Sequence, residues 1–244
     1  MKAILTGMNG TVAPALAKRL VLEGIEVVAW DRNKVSIDNR QQMEAFILGE
    51  KPSWVFHMAM GSPDWAAAIA SICRENGIRF LFTGSVSAFD GSKPGPFPLD
   101  KEPDATDDYG RYKAECERKV LAANPDAIIA RLGWQIGEAP GSNNMVDFLF
   151  KAAREKGKIE ASRKWIPSCC HLDDTADALY RLMKSYPAGL YHIEGNPGIP
   201  FFDIVTRLKK RHNADWTIVE TDANPVDIRL VNTKIPVGQL TARL

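Results

Sequence analysis

The chain has 244 residues and a formal net charge of +1, with 25% charged and 45% hydrophobic residues. This length is sufficient for one sizeable hydrophobic core. Because acidic and basic residues nearly balance, no field of one sign is available to attract nucleic acid or an anionic membrane, and any anionic ligand must be held by local groups.

The first half of the chain alternates short apolar runs with longer amphipathic segments, which is typical of βαβ units and a parallel sheet. Strands are predicted at residues 2–6, 26–30, 54–57, 79–83 and 127–131, and helices at 12–23, 38–48, 64–76 and 108–123. Residues 91–103 contain four prolines and are predicted to form a loop. The pattern predicts an α/β protein with a Rossmann-type doubly wound parallel sheet.

The second half of the chain is less regular. A loop rich in glycine, proline and asparagine at 137–144 precedes a predicted helix at 146–156, and residues 163–171 are predicted to be irregular. A helix at 173–185, a strand at 190–193 and a helix at 202–211 follow. We expect residues 1–132 to form a dinucleotide-binding core, and residues 133–244 to complete the sheet and form a small substrate-binding lobe.

The four cysteines, at positions 73, 116, 169 and 170, form neither a C-x-x-C pair nor a metal-binding group with histidine. The sequence therefore suggests no disulfide framework and no metal site. No apolar run approaches eighteen residues, and only three apolar residues follow Met1 and Lys2. We expect a soluble, cytoplasmic protein.

The segment TGMNGTVA, residues 6–13, leads from the first predicted strand into the first predicted helix. Gly7, Gly10 and the small Ala13 have the spacing of a dinucleotide-binding turn, which bends tightly and lets the backbone approach a pyrophosphate closely. N–H groups at the start of the helix would bind the phosphates. The residues predicted to bind a dinucleotide here are Gly7, Asn9, Gly10, Thr11 and Val12.

Asp31 ends the second predicted strand, about 20 residues beyond the glycines. A carboxylate at this place can accept hydrogen bonds from the hydroxyls of the adenosine ribose, which favours NAD(H). The adjacent Arg32 can instead pair with a 2′-phosphate, which keeps NADP(H) open.

The stretch DDYGRYKAECE, residues 107–117, places Tyr109 and Lys113 at positions i and i+4 of a predicted helix, and therefore on one face. A free phenol has a pKa of about 10, and a neighbouring ammonium favours the phenolate. The pair is interpreted as an acid with its tuning cation, although this spacing alone is common by chance. Thr83, Ser85 and Ser87 lie at the carboxyl edge of the predicted sheet, where α/β proteins bind ligands.

Taken in order, TGMNGTVA, GSVSAFDG and YGRYKAECE resemble the motifs of extended short-chain dehydrogenases/reductases. More narrowly, they resemble those of the dTDP-4-dehydrorhamnose reductase family of nucleotide-sugar reductases. The similarity continues through RLGW, the asparagine pair 143–144, IPSCCHLDDTADAL, GLYHIEGN and RLVNTKIP, so it covers essentially the whole chain.

The resemblance implies a role for each matched residue. Ser85, four residues before the aromatic of the F-D-G motif, would be the catalytic hydroxyl; Tyr109 would be the proton donor; and Lys113 would lower the tyrosine pKa and hold the nicotinamide ribose. Met58 and Ala59 would line the cofactor pocket. The residues implied in substrate binding are Ser85, Ser87, Trp134 and Asn143.

Three departures from the family pattern are visible. Tyr112 precedes the catalytic lysine where serine or threonine is usual, Ala13 replaces a glycine, and the stretch HMAMGSPDWAAAIAS is short and lacks the usual asparagine. The last departure removes part of the usual substrate wall, so the resemblance leaves the sugar and its nucleotide open.

The expected activity is NAD(P)-dependent reduction of a keto group, on a nucleotide-activated sugar such as dTDP-4-dehydrorhamnose, by an enzyme that acts on a small molecule. Homo-oligomers are frequent among such enzymes. One alternative is an NAD-dependent epimerase or dehydratase; Val86 stands where a dehydratase carries an acid. The other is a non-catalytic regulatory subunit like that of methionine adenosyltransferase, which retention of Ser85, Tyr109 and Lys113 disfavours.

Overall fold

The computed structural model describes residues 1–244. The strands are β1 Lys2–Leu5, β2 Glu26–Ala29, β3 Trp54–His57, β4 Arg79–Ser85, β5 Ile128–Leu132, β6 Trp134–Ile136, β7 Ile159–Ser162, β8 Cys169–His171, β9 Gly189–Ile193 and β10 Ile218–Thr221. The α-helices are α1 Val12–Leu22, α2 Arg40–Glu50, α3 Pro63–Glu75, α4 Asp108–Ala123, α5 Met145–Lys156, α6 Leu172–Ser185 and α7 Phe201–Arg211. None of these helices combines the length and apolar character needed to cross a membrane.

Six strands form one sheet in the order β2-β1-β3-β4-β5-β9, and every pair in it is parallel. This arrangement confirms the predicted doubly wound α/β fold. The strand order reverses at β1, which lies between β2 and β3. The carboxyl edge at such a reversal is where open α/β sheets bind ligands, so the fold directs attention to the ends of β1, β3 and β4.

Helices cover both faces of the sheet because successive strand side chains point to opposite sides. Leu5 packs with α1 and α6 in one core of 21 buried residues. The preceding residue, Ile4, packs with α2, α3 and α4 in a second core of 19. The inner strands β1, β3, β4 and β5 are therefore buried on both faces, as is typical of parallel sheets, whereas the edge strand β2 is partly exposed.

A smaller lobe stands beyond the carboxyl edge. It contains α5, α7 and two short parallel strand pairs, β6 with β8 and β7 with β10. Its own core of 14 buried residues includes Leu149, Leu208 and Trp216. The lobe is not continuous in sequence. After β8 the chain returns to the sheet, where α6 packs beside α1 and β9 pairs with β5, and it then enters the lobe again at α7.

Four lobe strands differ from the sequence-based prediction. Residues 163–171 were expected to be irregular, but Cys169–His171 forms β8, and β6, β7 and β10 were not predicted. These strands have only three or four residues. Such runs are too short to show a period of two, so their pairing partners, rather than their own pattern, define them.

The proline-rich stretch 91–103 contains no helix or strand, as predicted. It is nevertheless anchored, because the Phe97 N–H donates to the Arg229 carbonyl over 2.7 Å and the Phe97 ring packs against Phe89. The loop is thereby held next to the end of β4.

Helix starts are set by capping side chains. The second helix begins at Arg40, two residues later than predicted, because Asn39 adopts extended backbone and its side chain accepts the Gln42 N–H. Asn144 caps α5 in the same way by accepting the Asp147 N–H over 3.0 Å.

Candidate active site

The turn after β1 is shaped by its glycines. Gly7 has a φ of +83°, and a Cβ on it would lie 3.0 Å from the backbone nitrogen of Ala59. Only glycine meets both constraints without strain. The Gly10 N–H donates to the Gly7 carbonyl over 2.8 Å, which closes the turn.

The turn delivers free hydrogen-bond donors to the start of α1. The N–H groups of Thr11, Val12 and Ala13 have no acceptor within the protein. Pro14 follows, which carries no N–H at all. A helix N-terminus with unpaired N–H groups favours an anion, so this turn can hold a phosphate.

Thr6 ties the end of β1 to the end of β3. Its hydroxyl oxygen accepts the N–H groups of Met58 over 2.9 Å and Ala59 over 3.0 Å, and lies 3.0 Å from His57 Nδ1. With both lone pairs used, the hydroxyl donates to His57, whose Nδ1 is therefore unprotonated. Burial lowers the His57 pKa to about 3, so this ring stays neutral and positions backbone.

Asp31 and Arg32 follow closely after the carboxyl end of β2. The Asp31 carboxylate accepts the Asn33 N–H over 2.9 Å and keeps 42% of its side chain exposed. The Arg32 guanidinium stacks over the Trp65 ring at 4.8 Å and donates to the Met60 carbonyl. Both groups are fixed, yet retain solvent-facing area for a ligand.

The carboxyl end of β4 presents Ser85, which is 8% exposed. Its hydroxyl oxygen accepts the Ser87 N–H over 3.1 Å as the chain enters a short 3₁₀ turn. Helix α4 approaches this turn closely because Gly110 has no side chain; a Cβ there would collide with the Ser87 carbonyl. Gly110, which sequence reasoning did not single out, therefore brings α4 to the serine.

Tyr109 and Lys113 stand on the α4 face that meets Ser85. Asp107 caps this helix by accepting the Gly110 N–H over 2.9 Å, which sets the start of α4 beside the turn. The Lys113 ammonium is almost fully buried and donates to the Thr83 carbonyl over 2.9 Å. The predicted hydroxyl, phenol and ammonium thus converge on one place.

The charge environment corrects one expectation. Lys113 was expected to lower the Tyr109 pKa, but that pKa is raised, chiefly because the phenol is partly buried, while the Ser85 hydroxyl opposes the rise. Burial also lowers the pKa of Lys113. The ammonium is directed to the Thr83 carbonyl rather than to the phenol, so the phenol is kept in its neutral, proton-carrying form.

Tyr112, one of the departures noted in the sequence, has a defined contact. Its hydroxyl accepts the Gly61 N–H over 3.1 Å, which holds the short segment after β3 against α4. Gly61 itself packs on the Trp65 ring, where a Cβ would collide. The unusual tyrosine and the shortened segment are therefore parts of one arrangement.

Ser85, Tyr109 and Lys113 line one cavity of about 570 Å³. Eleven of the predicted site residues line it: Asn9, Gly10, Thr11, Val12, Met58, Ser85, Ser87, Tyr109, Lys113, Trp134 and Asn143. The other four, Gly7, Ala59, Asp31 and Arg32, do not: Gly7 packs against the Ala59 backbone, and Arg32 donates to the carbonyl of Met60, which is on the wall. Lys113 is the only charged residue on the cavity wall.

The lobe supplies an aromatic wall opposite the tyrosine. The Trp134 ring stacks on Phe201 at 6.0 Å and meets Phe148 edge-on at 5.2 Å, and Trp165 packs on Phe201 at 5.0 Å. Trp165 was not predicted as a site residue because it lies in a stretch without regular pattern. Gln135, Ser168 and Ile228 also line this side and were not predicted.

The loop at 137–144 closes the cavity on the side of the glycine turn. The Thr11 hydroxyl donates to the Ser142 carbonyl, and Ser142 and Asn143 both have positive φ. Asn143 faces the cavity, whereas Asn144 is committed to capping α5. The lobe and the turn therefore form one continuous wall.

A family model described as RmlD substrate binding domain matches residues 1–62 and 63–234 of this chain. Among relatives, the dTDP-4-dehydrorhamnose reductase of Aggregatibacter actinomycetemcomitans is 26% identical over 228 residues, covering 83% of this chain and 76% of the relative. Methionine adenosyltransferase 2 subunit beta of Xenopus tropicalis is 22% identical over 244 residues, covering 87% and 72%, respectively.

Among solved structures, the dTDP-4-dehydrorhamnose reductase of Bacillus anthracis in complex with NADP has a TM-score of 0.85 at 18% identity. The match covers 98% of this chain and 95% of that chain. It extends through the sheet and the lobe alike.

Proposed function

The chain belongs to the RmlD substrate binding domain family, and from that premise we propose that it is an NAD(P)-dependent reductase of a keto group on a nucleotide-activated sugar. A relative carries the name dTDP-4-dehydrorhamnose reductase, which makes that sugar the first candidate substrate. The observation that carries the proposal is the convergence of Ser85, Tyr109 and Lys113 on one cavity whose far wall is the glycine turn.

The residues present fit a dinucleotide. The Gly7 backbone leaves room for close approach, and the free N–H groups of Thr11, Val12 and Ala13 match a pyrophosphate. Met58 and Ala59 would border the nicotinamide end, because the Thr6 hydroxyl fixes their backbone beside the turn. Bound there, a reduced nicotinamide would supply hydride to the carbonyl carbon of the substrate.

In the proposed reaction the phenol of Tyr109 gives its proton to the substrate oxygen as negative charge develops on it. Ser85, on the rigid end of β4, donates a hydrogen bond to the same oxygen. Lys113 uses one of its three N–H donors on the Thr83 carbonyl and keeps two for the cofactor ribose. The raised pKa of Tyr109 keeps it protonated at neutral pH, which suits reduction.

The lobe would bind the sugar. Trp134 offers an aromatic face, Ser87 and Asn143 offer hydrogen bonds, and the near absence of charge on the wall suits a neutral ring.

We also propose residues 133–244 as the segment that provides this lobe, with the cofactor bound mainly by residues 1–132. All four cysteines are buried free thiols, which supports a cytoplasmic location. We also propose that the protein forms a homo-oligomer, because homo-oligomers are frequent among such enzymes.

Both alternatives are less well supported. An epimerase or dehydratase would share the cofactor fit; against a dehydratase, Val86 rather than an acid follows the serine. A regulatory subunit has a relative in methionine adenosyltransferase 2 subunit beta. Such a role does not need a hydroxyl, a phenol and an ammonium gathered in one cavity, and all three are present.

The direct test is spectrophotometric. NADH and NADPH oxidation should be followed at 340 nm with 4-keto nucleotide sugars, and turnover is expected with at least one of them. The product should be the nucleotide sugar with a hydroxyl at C4 in place of the keto group, identified by mass and by the ring proton at the reduced carbon. Cofactor binding without turnover of any keto sugar would favour the regulatory alternative.

Asp31 and Arg32 predict how the protein selects between NADH and NADPH. Asp31→Ala should weaken NADH binding about 10- to 100-fold and NADPH binding less, because the lost carboxylate would accept hydrogen bonds from the ribose hydroxyls. Arg32→Ala should weaken NADPH more than NADH. Dissociation constants from cofactor fluorescence would measure both effects, with Asp38→Ala as a control that removes the same charge from an exposed position. An equal loss for both cofactors in Asp31→Ala would contradict a ribose role.

A further inference from the structure

The lobe side of the cavity contains a buried amide that the proposed reaction does not use. Gln135 lines the cavity and is 6% exposed, yet its side-chain oxygen, Oε1, has no hydrogen-bond partner. A buried acceptor left unpaired costs about 1–3 kcal/mol, so such groups are rare unless something outside the protein satisfies them.

The orientation of this amide is determined by its other end. Gln135 Nε2 donates to the Gly133 carbonyl over 2.9 Å. Turning the amide over would set two carbonyl oxygens against each other, so the free atom is the acceptor. The site therefore requires a ligand group that donates a hydrogen bond.

The backbone around Gln135 is rigid. Strand β6 pairs with β8, with Gln135 opposite Cys170, and the Trp134 N–H donates to the Ser168 carbonyl over 2.8 Å. Gly133 packs so tightly on Ser168 that a Cβ would collide with its hydroxyl. Ser168, 1% exposed, lines the same wall, and its hydroxyl faces the buried Glu194 carboxylate.

The missing partner is a neutral donor. Lys113 is the only charged residue on the cavity wall, and it lies on the α4 side, bound to the Thr83 carbonyl. A phosphate would offer only acceptors to Gln135. An alcohol can donate to Gln135 Oε1, and it suits a wall formed by Trp134.

We propose that Gln135 accepts a hydrogen bond from a hydroxyl on the sugar ring of the substrate and thereby selects hydroxylated over deoxygenated keto sugars. This inference rests on the proposed reductase function. A site built to pair with a hydroxyl rejects an analogue lacking it, because its own buried polar groups are then left unpaired. Gln135 is a specificity residue in this scheme and takes no part in the proton transfer.

The test couples a change in the protein with a change in the substrate. The parent protein and Gln135→Met should be assayed with a 4-keto-6-deoxy nucleotide sugar and with its 2-deoxy and 3-deoxy analogues. For the parent, loss of the contacted hydroxyl should lower kcat/KM about 10- to 100-fold. For Gln135→Met, kcat/KM on the full substrate should fall by a similar factor, and that same deletion should then cost less than about threefold.

Two outcomes overturn the assignment. If Gln135→Met and the parent are equally sensitive to both deoxygenations, the loss is structural and Gln135 does not contact a ring hydroxyl. If the parent reduces no keto sugar at all, the proposed function and this assignment fail together. Gln41→Met, on the exposed side of α2, is the matched control and should behave as the parent does with every substrate.

Discussion

Tyr109→Phe is expected to lower kcat for keto-sugar reduction by about 10²–10⁴-fold while leaving the cofactor dissociation constant nearly unchanged. The change deletes one oxygen, the group proposed to protonate the substrate, and keeps the aromatic ring, which lies 6.4 Å from the Tyr112 ring. Stopped-flow and steady-state absorbance at 340 nm would measure the rate, and cofactor fluorescence the binding. Tyr186→Phe, at the C-terminal end of α6, is the matched control and should retain parental activity.

The pH dependence provides an independent check on the same group. Because burial raises the pKa of Tyr109, its proton is retained through neutral pH and lost only well into the alkaline range. The reduction rate should therefore stay level across neutral pH and fall at alkaline pH, and the alkaline fall should vanish in Tyr109→Phe. A phenylalanine variant as fast as the parent would show that another group supplies the proton. A Tyr109 that titrates near neutrality in the free enzyme would contradict the raised pKa.

Glu117→Leu is expected to destabilise the fold by about 3–5 kcal/mol, the cost of leaving its partner Arg131 buried without a counter-charge. The two side chains are 5% and 4% exposed, and Arg131 meets the carboxylate through two N–H groups, at 3.0 and 2.8 Å. The guanidinium also lies 4.8 Å from the centre of the Phe89 ring. The free energy of unfolding from urea titration would measure the effect.

A surface pair on the same helix provides the comparison. Glu115 binds Arg118 at 2.6 Å, but the side chains are 39% and 66% exposed, so Glu115→Leu should cost less than about 1 kcal/mol. The double variant Glu117→Leu with Arg131→Met should recover much of the loss, because it removes both buried charges. Equal destabilisation by Glu117→Leu and Glu115→Leu would mean that the buried pair adds nothing beyond a surface contact.

The buried pair also connects stability to the site. Glu117 is one turn after Lys113 on α4, and Arg131 lies on β5, the strand that leads to Trp134. The pair therefore holds the helix that carries the phenol and the ammonium against the strand that leads to the lobe. We expect Glu117→Leu to lower kcat as well, in proportion to the mobility that it introduces into α4.

Much of the fold was predictable because its signals are local. The apolar strands of the sheet, the glycine turn and the four-residue spacing of Tyr109 and Lys113 each depend on a short segment with a known period. Seven of the eleven predicted residues on the cavity wall, Asn9, Gly10, Thr11, Val12, Met58, Ser85 and Ser87, lie at or just after the carboxyl ends of β1, β3 and β4, which share one edge of the sheet.

The remainder depends on contacts between distant segments. Gly110 is decisive only because the Ser87 carbonyl lies against it, and β8 exists only where β6 pairs with it. The direction of the Tyr109 pKa follows from burial, whereas sequence reasoning considered only the neighbouring cation. Trp165 and Gln135 line the cavity because of how the lobe folds. The irregular pattern of the second half of the sequence did not predict their positions.

The return of the chain from the lobe to β9 affects how the protein is made. Gly189 pairs with Ile128, so the sheet stays one strand short until the intervening lobe segments have been synthesised, and β7 gains its partner β10 later still. Pairings between such remote positions carry a large loop-closure cost and form slowly. During translation the glycine turn can therefore form while the lobe side of the cavity is still missing, and the cavity is complete only after Ile228, the last residue on its wall, has been synthesised.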